Sequence, residues 1–357
     1  MSYKEQIRSV KDYIRLPFCY NHWYVAGSIE EFGQDPVAKT LLERSIVFYR
    51  TEAGDLVAMQ DRCLHRSFPL SQGTREGDNL VCRYHGIRYA PDGSIVRVPC
   101  QDQLPNRKLH VYPVKEVGPF AFIWMGNPDQ PDWDKFPELS FLEDPKCRTI
   151  SDAVSYAGSY LLMQENLNDL THFAYLHKDS FGIGDYFMDL PTTVEITDKG
   201  IYCNRIDSEP ARVLPMLPPD AQERAQGKQV ERHDGGYAMS PGVFRGFAPV
   251  YVGAEGDPDR EVFSSYVMHY LTPETKTTSH YYWSITNDYN IENDEAFAMQ
   301  KAFASTGFAE DKWACEHMQK LLDNDHIDYK EMNIAGDKAG MLFRGVMLDW
   351  VLDEYVD

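Results

Sequence analysis

Two short segments constrain this chain more than any other part of it: Cys63-Leu64-His65 and Cys82-Arg83-Tyr84-His85, with sixteen residues between them. Each supplies one thiol and one imidazole. The runs around them, SIVFYRT, LVAMQD and SIVRV, are short and rich in β-branched and aromatic residues, so each pair is expected at the tip of a β-loop. Two thiolates and two imidazoles arriving from two loops suit a [2Fe–2S] cluster in which Cys63 and Cys82 hold one iron and His65 and His85 the other. The competing occupant is zinc in a closed tetrahedral Cys2His2 site. Zinc-finger spacing groups the cysteines together and the histidines together, whereas each loop here supplies one of each, which favours the cluster. Imidazoles in place of two thiolates raise its potential and make it a relay for single electrons.

From about Asn21 to Trp124 the pattern continues as short strands, with a hairpin at Asp92-Gly93, and predicts a small all-β domain. The acidic, proline-punctuated stretch NPDQPDWDKFPELSFLEDP reads as a linker, which places a boundary near residue 140. Residues 1–140 are then the first domain, with an N-terminal extension and the linker, and residues 141–357 the second; the length of 357 residues agrees with two domains. The second opens with a helical pattern, GSYLLMQENLNDLTHFAYLHK, turns strand-like between about Thr192 and Asn287, and closes with a long helical pattern interrupted by Gly307. The expected fold class is α+β, an all-β domain followed by an antiparallel sheet with helices against it.

A second constellation lies in ENLNDLTHFAYLH. His172 and His177 are five positions apart, about 140° on an ideal helix, so both imidazoles reach one metal only if the helix ends or distorts between them. Two histidines and one carboxylate on one face of Fe(II) leave positions open for O2 and substrate. Alone, such a pair more often caps or packs a helix, and the third ligand must come from elsewhere in the chain. Asp169 lies one turn before His172 and is placed to accept a hydrogen bond from its second nitrogen.

The string CLHRSFPLSQG…LVCRYHGIRYAPDG resembles the cluster-binding loops of the Rieske non-haem iron oxygenases, and the strands around it resemble a Rieske domain. The extra loop cysteines of the respiratory Rieske proteins have no counterpart, since Ser67 and Arg83 stand nearby, which favours the oxygenase branch. Asn166, Asp169, His172 and His177 match the family's N-x2-D-x2-H-x4-H signature. The resemblance implies a helix-grip-like catalytic domain and an iron held by His172, His177 and Asp311, the last within GFAEDKWACEHMQ, with Glu310 as the rival ligand. It implies that Asp169, with Asn166 beside it, links a cluster histidine of a neighbouring subunit to an iron histidine in a homotrimer. The chain looks most like the branch of oxygenase components that includes vanillate and dicamba O-demethylases and the ketosteroid 9α-hydroxylase oxygenase.

The activity so implied is monooxygenation of an aromatic compound, by oxidative O-demethylation or hydroxylation of an aromatic acid; cis-dihydroxylation and N-demethylation are alternatives, and a bare electron carrier or a zinc-stabilised structural protein are remoter ones. No Rossmann, flavin or second-cluster motif is present, so a separate reductase, with or without a ferredoxin, is expected. Arg245, Phe247, Tyr266 and Trp283 are candidate substrate contacts, Arg245 as a bidentate carboxylate anchor. A formal net charge of -20 argues against nucleic acid and anionic lipid and for a basic redox partner. The seven scattered cysteines, the absence of a long apolar run and the polar start MSYKEQIRSVKDY point to a cytoplasmic protein without a membrane span.

Overall fold

The structure is a computed structural model that describes residues 9–197, 200–324 and 331–355. Two compact units are present, one of residues 18–136 with Thr272–Thr275, the other of residues 9–17, 137–271 and 276–355. A single cut near 140 therefore differs from the packing in two places. The Val10 amide donates to Glu331 (3.1 Å) and the Arg344 guanidinium lies 5.4 Å from the Tyr13 ring, which ties the N-terminal residues to the later unit. Thr272 Oγ1 donates to the carbonyl of Val25 (2.7 Å) in the earlier one. A composition shift marks a linker but carries no information on where a terminal segment or a strand end packs.

The earlier unit is all β. Three small antiparallel sheets are formed, one by Trp23–Ser28, Phe120–Trp124 and Val114–Val117, the second by Val37–Leu41, Arg44–Arg50, Leu56–Gln60 and Val111–Tyr112, the third by Thr74–Glu76, Asn79–Val81, Arg88–Tyr89 and Ile95–Arg97. Two loops project from this framework with the same internal wiring. Cys63 N–H donates to Phe68 O and Ser67 N–H returns to Cys63 O; Cys82 N–H donates to Ile87 O and Gly86 N–H returns to Cys82 O, at 2.8–3.0 Å. Closing so tight a ring forces a left-handed residue at its fourth step. Gly86 meets this without strain at φ +72, and Ser67 does so at φ +57 with its hydroxyl accepting from Arg62 Nε (2.9 Å).

In the later unit one antiparallel sheet runs in the order Arg148–Tyr156, Ser279–Asn287, Ser265–Pro273, Val243–Phe247, Val230–Ser240, Gly200–Asp207, Thr192–Thr197. The helix Tyr160–Asn168 begins with Ser159, whose hydroxyl accepts from Leu161 N–H, and stops at Asp169, whose backbone turns extended (φ -103, ψ 103). A 3-10 turn, Thr171–Ala174, and a short helix, Lys178–Phe181, follow. The helix therefore ends before both histidines and not between them as the sequence reading had it: His172 stands in the 3-10 turn and His177 at the start of the short helix. No helix among the described residues is long and apolar enough to cross a membrane.

The long helix Asp294–Asn324 passes through Gly307 without interruption, contrary to the sequence reading. Glycine is there for space. A Cβ at Gly307 would lie 2.6 Å from the Phe181 ring, and that ring stacks on His177 (4.3 Å, 28°) and on Phe303 (5.0 Å, 29°). Alanine is the better helix former by about 1 kcal/mol, but overpacking a closed contact costs about 1–3 kcal/mol. Gly307→Ala is therefore expected to lower stability by about 1 kcal/mol, read as a drop in Tm; a rise in Tm would show that Phe181 has room to move.

Candidate metal centres

At the loop tips the four residues separate by exposure. Cys63 and Cys82 are buried at 3% and 1%, in a core with Val47, Tyr49, Leu70, Leu80 and Tyr89, while His65 and His85 face solvent. The two imidazoles approach Nδ1 to Nδ1 at 3.1 Å. Burial, followed by the neighbouring Cys63 sulfur, pushes the Cys82 thiol up, while backbone N–H groups of Tyr84 and His85 directed at its sulfur pull the other way. Thiolates crowded together in an apolar core with N–H donors aimed at them suit a cluster that spreads their charge. The exposed charged side chains within these loops, Arg62, Arg66 and Arg83, are all cationic. The rim of the cluster loops is thus positive, opposite in sign to the net charge of the chain.

Tyr89 is a participant that the sequence reading missed. Its hydroxyl oxygen accepts from Leu64 N–H (3.1 Å), which leaves its own hydrogen for Cys63 Sγ at 3.2 Å. Burial and the contact with Cys63 both raise the phenol's pKa, so it stays a donor at every working pH. The only signal in the sequence is an aromatic residue on the strand that leaves the second loop.

In the later unit, metal-binding atoms of His172, His177 and Asp311 lie within 4.8 Å of one another, the one such group among the described residues. Asp311 is 4% exposed. Its Oδ1 lies 3.1 Å from His177 Nε2 and 3.3 Å from His172 Nε2, and accepts from Asn166 Nδ2 at 2.8 Å. His172 makes no hydrogen bond through either ring nitrogen. Burial alone would raise the Asp311 carboxyl, but the two imidazoles hold it well below the usual carboxylate range. For His177, burial opposes protonation and Asp311 with Glu310 outweighs it, giving a raised pKa.

The second nitrogen of His177, Nδ1, sits 2.7 Å from Glu310 Oε2, which also accepts from Ser180 Oγ (2.6 Å). Glu310, the rival ligand in the sequence reading, thus lies on the far side of the imidazole from Asp311. The Nε2 atoms of His172 and His177 both face the anionic Oδ1 of Asp311; a protonated His177 balances that charge, as would a cation held among the three, and the histidine–carboxylate donor set suits Fe(II).

Asp169 accepts Thr171 N–H at Oδ1 (2.6 Å), and the other carboxylate oxygen makes no contact with His172 in this chain. Of the candidate substrate contacts, only Trp283 shares the sheet face that meets the long helix. There Phe244, His269, Tyr281 and Trp283 surround Phe308, with ring centroids 4.9–6.2 Å from it for the last three and 5.9 Å between Phe244 and His269. Strand alternation puts Arg245 and Phe247 on the opposite face from Phe244, and Tyr266 on the opposite face from His269. There Arg245 lies over the Phe141 and Tyr266 rings and reaches Glu138 (3.4 Å), and Phe247 packs on Tyr202 and Tyr237. Arg245, Phe247 and Tyr266 are therefore not brought to the iron site. Period-two patterning reveals that strands have two faces without saying which one meets the helix.

Two variants probe these shells. Tyr89→Phe removes a donor to Cys63, worth about 1 kcal/mol, and is expected to lower the cluster potential by about 40 mV for one electron; an unchanged potential in redox titration would remove Tyr89 from the cluster's electronics. Glu310→Leu frees the His177 ring and is expected to weaken Fe(II) affinity about 10–100-fold, measured by iron retention against a chelator; full retention would leave Glu310 without a role in holding the ligand.

Comparison with known proteins agrees with both centres. Residues 156–353 match the vanillate O-demethylase oxygenase C-terminal domain family, and residues 22–113 match the Rieske [2Fe–2S] domain. The chain is 32% identical over 348 residues to a putative toluene-4-sulfonate monooxygenase system iron–sulfur subunit of Comamonas testosteroni, covering 93% of this chain and 96% of that one. It is 26% identical to the vanillate O-demethylase oxygenase subunit of a Pseudomonas species, covering 92% and 94%. In fold it is similar to dicamba monooxygenase bound to dicamba, with a TM-score of 0.79, 24% identity and 96% and 100% coverage. The chain belongs to the Rieske non-haem iron oxygenases: it is the oxygenase component, an oxidoreductase with a Rieske [2Fe–2S] domain followed by a vanillate O-demethylase-type domain for a mononuclear iron.

Proposed function

We propose that this oxygenase component takes electrons from a separate reductase, with or without a ferredoxin, and uses O2 to monooxygenate a small aromatic acid by oxidative O-demethylation or hydroxylation. The observation that carries this reading is the single oxygen of Asp311 within 3.3 Å of two imidazole nitrogens, with Glu310 held at the outer nitrogen of His177. Bound at those three ligands, Fe(II) supplies open coordination positions at which O2 can be activated when electrons arrive one at a time. His172, His177 and Asp311 would hold it, with Glu310 fixing the His177 tautomer and Asn166 orienting the carboxylate through Oδ1.

Aromatic substrates are supported by the wall of Phe244, His269, Tyr281 and Trp283 on the sheet face that meets Phe308 of the long helix. Burial lowers the His269 pKa to about 4, so it stays neutral, and its Nδ1 is paired with the Tyr281 hydroxyl at 2.6 Å. The Trp283 indole N–H is buried without a hydrogen-bond partner among the described residues and in this reading is a donor to a substrate's polar group. The acid group follows from the relatives' names, since vanillate and toluene-4-sulfonate are both aromatic acids. Asp169, with one oxygen spent on Thr171, is our choice for the link to a cluster histidine of a neighbouring subunit in a homotrimer. Free cysteines throughout and no membrane-crossing helix among the described residues support a cytoplasmic setting.

The test is turnover of the iron- and cluster-loaded protein with a plant-type reductase, NADH and a panel of methoxy- and methyl-substituted benzoates and benzenesulfonates. Formaldehyde matched to NADH and O2 consumed marks demethylation, and a hydroxylated product without formaldehyde marks hydroxylation. In the same assay Asp169→Asn is expected to keep both metals and lose at least about 100-fold in turnover. Loaded protein that consumes no O2 with any aromatic acid, or an Asp169→Asn variant at full rate, would overturn the respective half of the reading.

A further inference from the structure

The bend that aims His172 is irregular in backbone, and side chains from elsewhere in the unit hold it. Asp169 leaves the helix extended, and Leu170 and Thr171 carry the chain into the 3-10 turn. Arg205, on the strand Gly200–Asp207, crosses beneath this joint with 3% of its surface exposed. Its Nη2 donates to Thr171 Oγ1 (3.1 Å), Nη1 to the carbonyls of Phe187 (3.1 Å) and Leu170 (3.5 Å), and Nε to Thr192 Oγ1 (2.7 Å). Thr171 is boxed from the other side as well, since a Cβ at Gly336 would lie 2.4 Å from its hydroxyl. The guanidinium lies 5.3 Å from the Phe187 ring, which stacks on Phe173 (6.0 Å, 8°), the neighbour of His172.

Every hydrogen-bond acceptor of Arg205 is neutral. A buried cation without a directly paired carboxylate is costly, and burial accordingly lowers the Arg205 pKa, with the Asp169 carboxylate as its first electrostatic support. A leucine or methionine would fill this space at less cost if filling were all that mattered. What an aliphatic residue lacks is a rigid planar fork that binds the side chain and carbonyl immediately before His172 while presenting charge to Asp169.

We propose that Arg205 is a positioning residue for the iron site: by clamping Leu170 and Thr171 it sets the direction of the His172 imidazole. This rests on the reading of His172 as an iron ligand. A clamp of this kind acts on geometry and leaves substrate contacts alone, so its loss is expected in kcat and in the spectrum of the ferrous site rather than in KM.

The experiment uses the full chain loaded with cluster and Fe(II), comparing Arg205→Met and Arg205→Lys with His172→Ala. The readouts are iron content, the EPR spectrum of the ferrous site with nitric oxide as probe, kcat and KM with the reductase, and Tm. Arg205→Met is expected to keep the cluster, shift the nitric oxide spectrum, lower kcat by about tenfold or more and leave KM within about twofold; Arg205→Lys, which keeps the charge and one donor, should recover part of both spectrum and kcat. An unchanged spectrum and kcat in Arg205→Met overturns the proposal, as does an Arg205→Lys variant that regains Tm but neither spectrum nor kcat. Should Arg205→Met fail to fold, the spectrum and kcat of Arg205→Lys against its Tm decide in the same way. His172→Ala with full iron and an unaltered spectrum overturns the ligand assignment and the proposal together, whereas loss of iron in His172→Ala with a silent Arg205→Met overturns the proposal alone.

Discussion

The later unit is organised around one buried anion. Asp311 sits in the middle of the long helix at 4% exposure, where a carboxylate without partners would be too costly to keep ionised. Its Oδ1 is approached by Asn166 from within the preceding helix, by His172 from the turn after it and by His177 from the next turn. Three successive pieces of chain are thereby fixed to one atom of a segment more than 130 residues away. The apolar packing adapts to that fixed point. Phe181 stacks on His177 in space left by Gly307, and Phe308, one turn before Asp311, lies against Trp283 and His269 on the sheet. The imidazole–carboxylate geometry therefore sets the spacing between long helix, broken helix and sheet.

The two centres are built by different means. Each cluster loop closes on itself within six residues through a reciprocal pair of backbone bonds, so Cys63, His65, Cys82 and His85 are placed by local geometry on a small core. The iron site has no such local closure. Its ligands come from two distant segments, and the bend between Asp169 and His177 is held by hydrogen bonds of Arg205, Thr171 and the Asp169 carboxylate. A self-closing loop tolerates change around it. A site assembled at long range depends on the residues beneath it.

This difference explains what could be read from the sequence. The cluster loops and the mixed second domain follow from short-range spacing, and the structure displays both; the helix ends one turn earlier than the spacing of the two histidines required. Tyr89 was invisible because a hydrogen bond to a sulfur has no spacing rule. The interruption read at Gly307 was an error of the same origin, since helix propensity registers the missing side chain but not the Phe181 ring that needs its space. Arg245, Phe247 and Tyr266 have the right chemistry on the wrong side, because alternation fixes which residues share a face and leaves the choice of face to the helices. Glu310 and Asp311 are adjacent acids, and only the resemblance, not the spacing, favours Asp311 in the sequence. Helical geometry turns one toward both imidazoles and the other toward the outer nitrogen of His177.

Net charge is the other quantity that misleads when taken whole. At physiological salt, exposed charges act over about 8 Å, so a chain carrying -20 repels anions at long range while its contacts follow local composition. Around the cluster that composition is inverted: Arg62, Arg66 and Arg83 are exposed in the same loops as His65 and His85, and the thiolate side is buried. Electrons are therefore exchanged most directly through the imidazole edge, on a positive rim set in a negative protein. A group that approaches the exposed imidazoles therefore meets the sign of that rim and not the sign of the average surface.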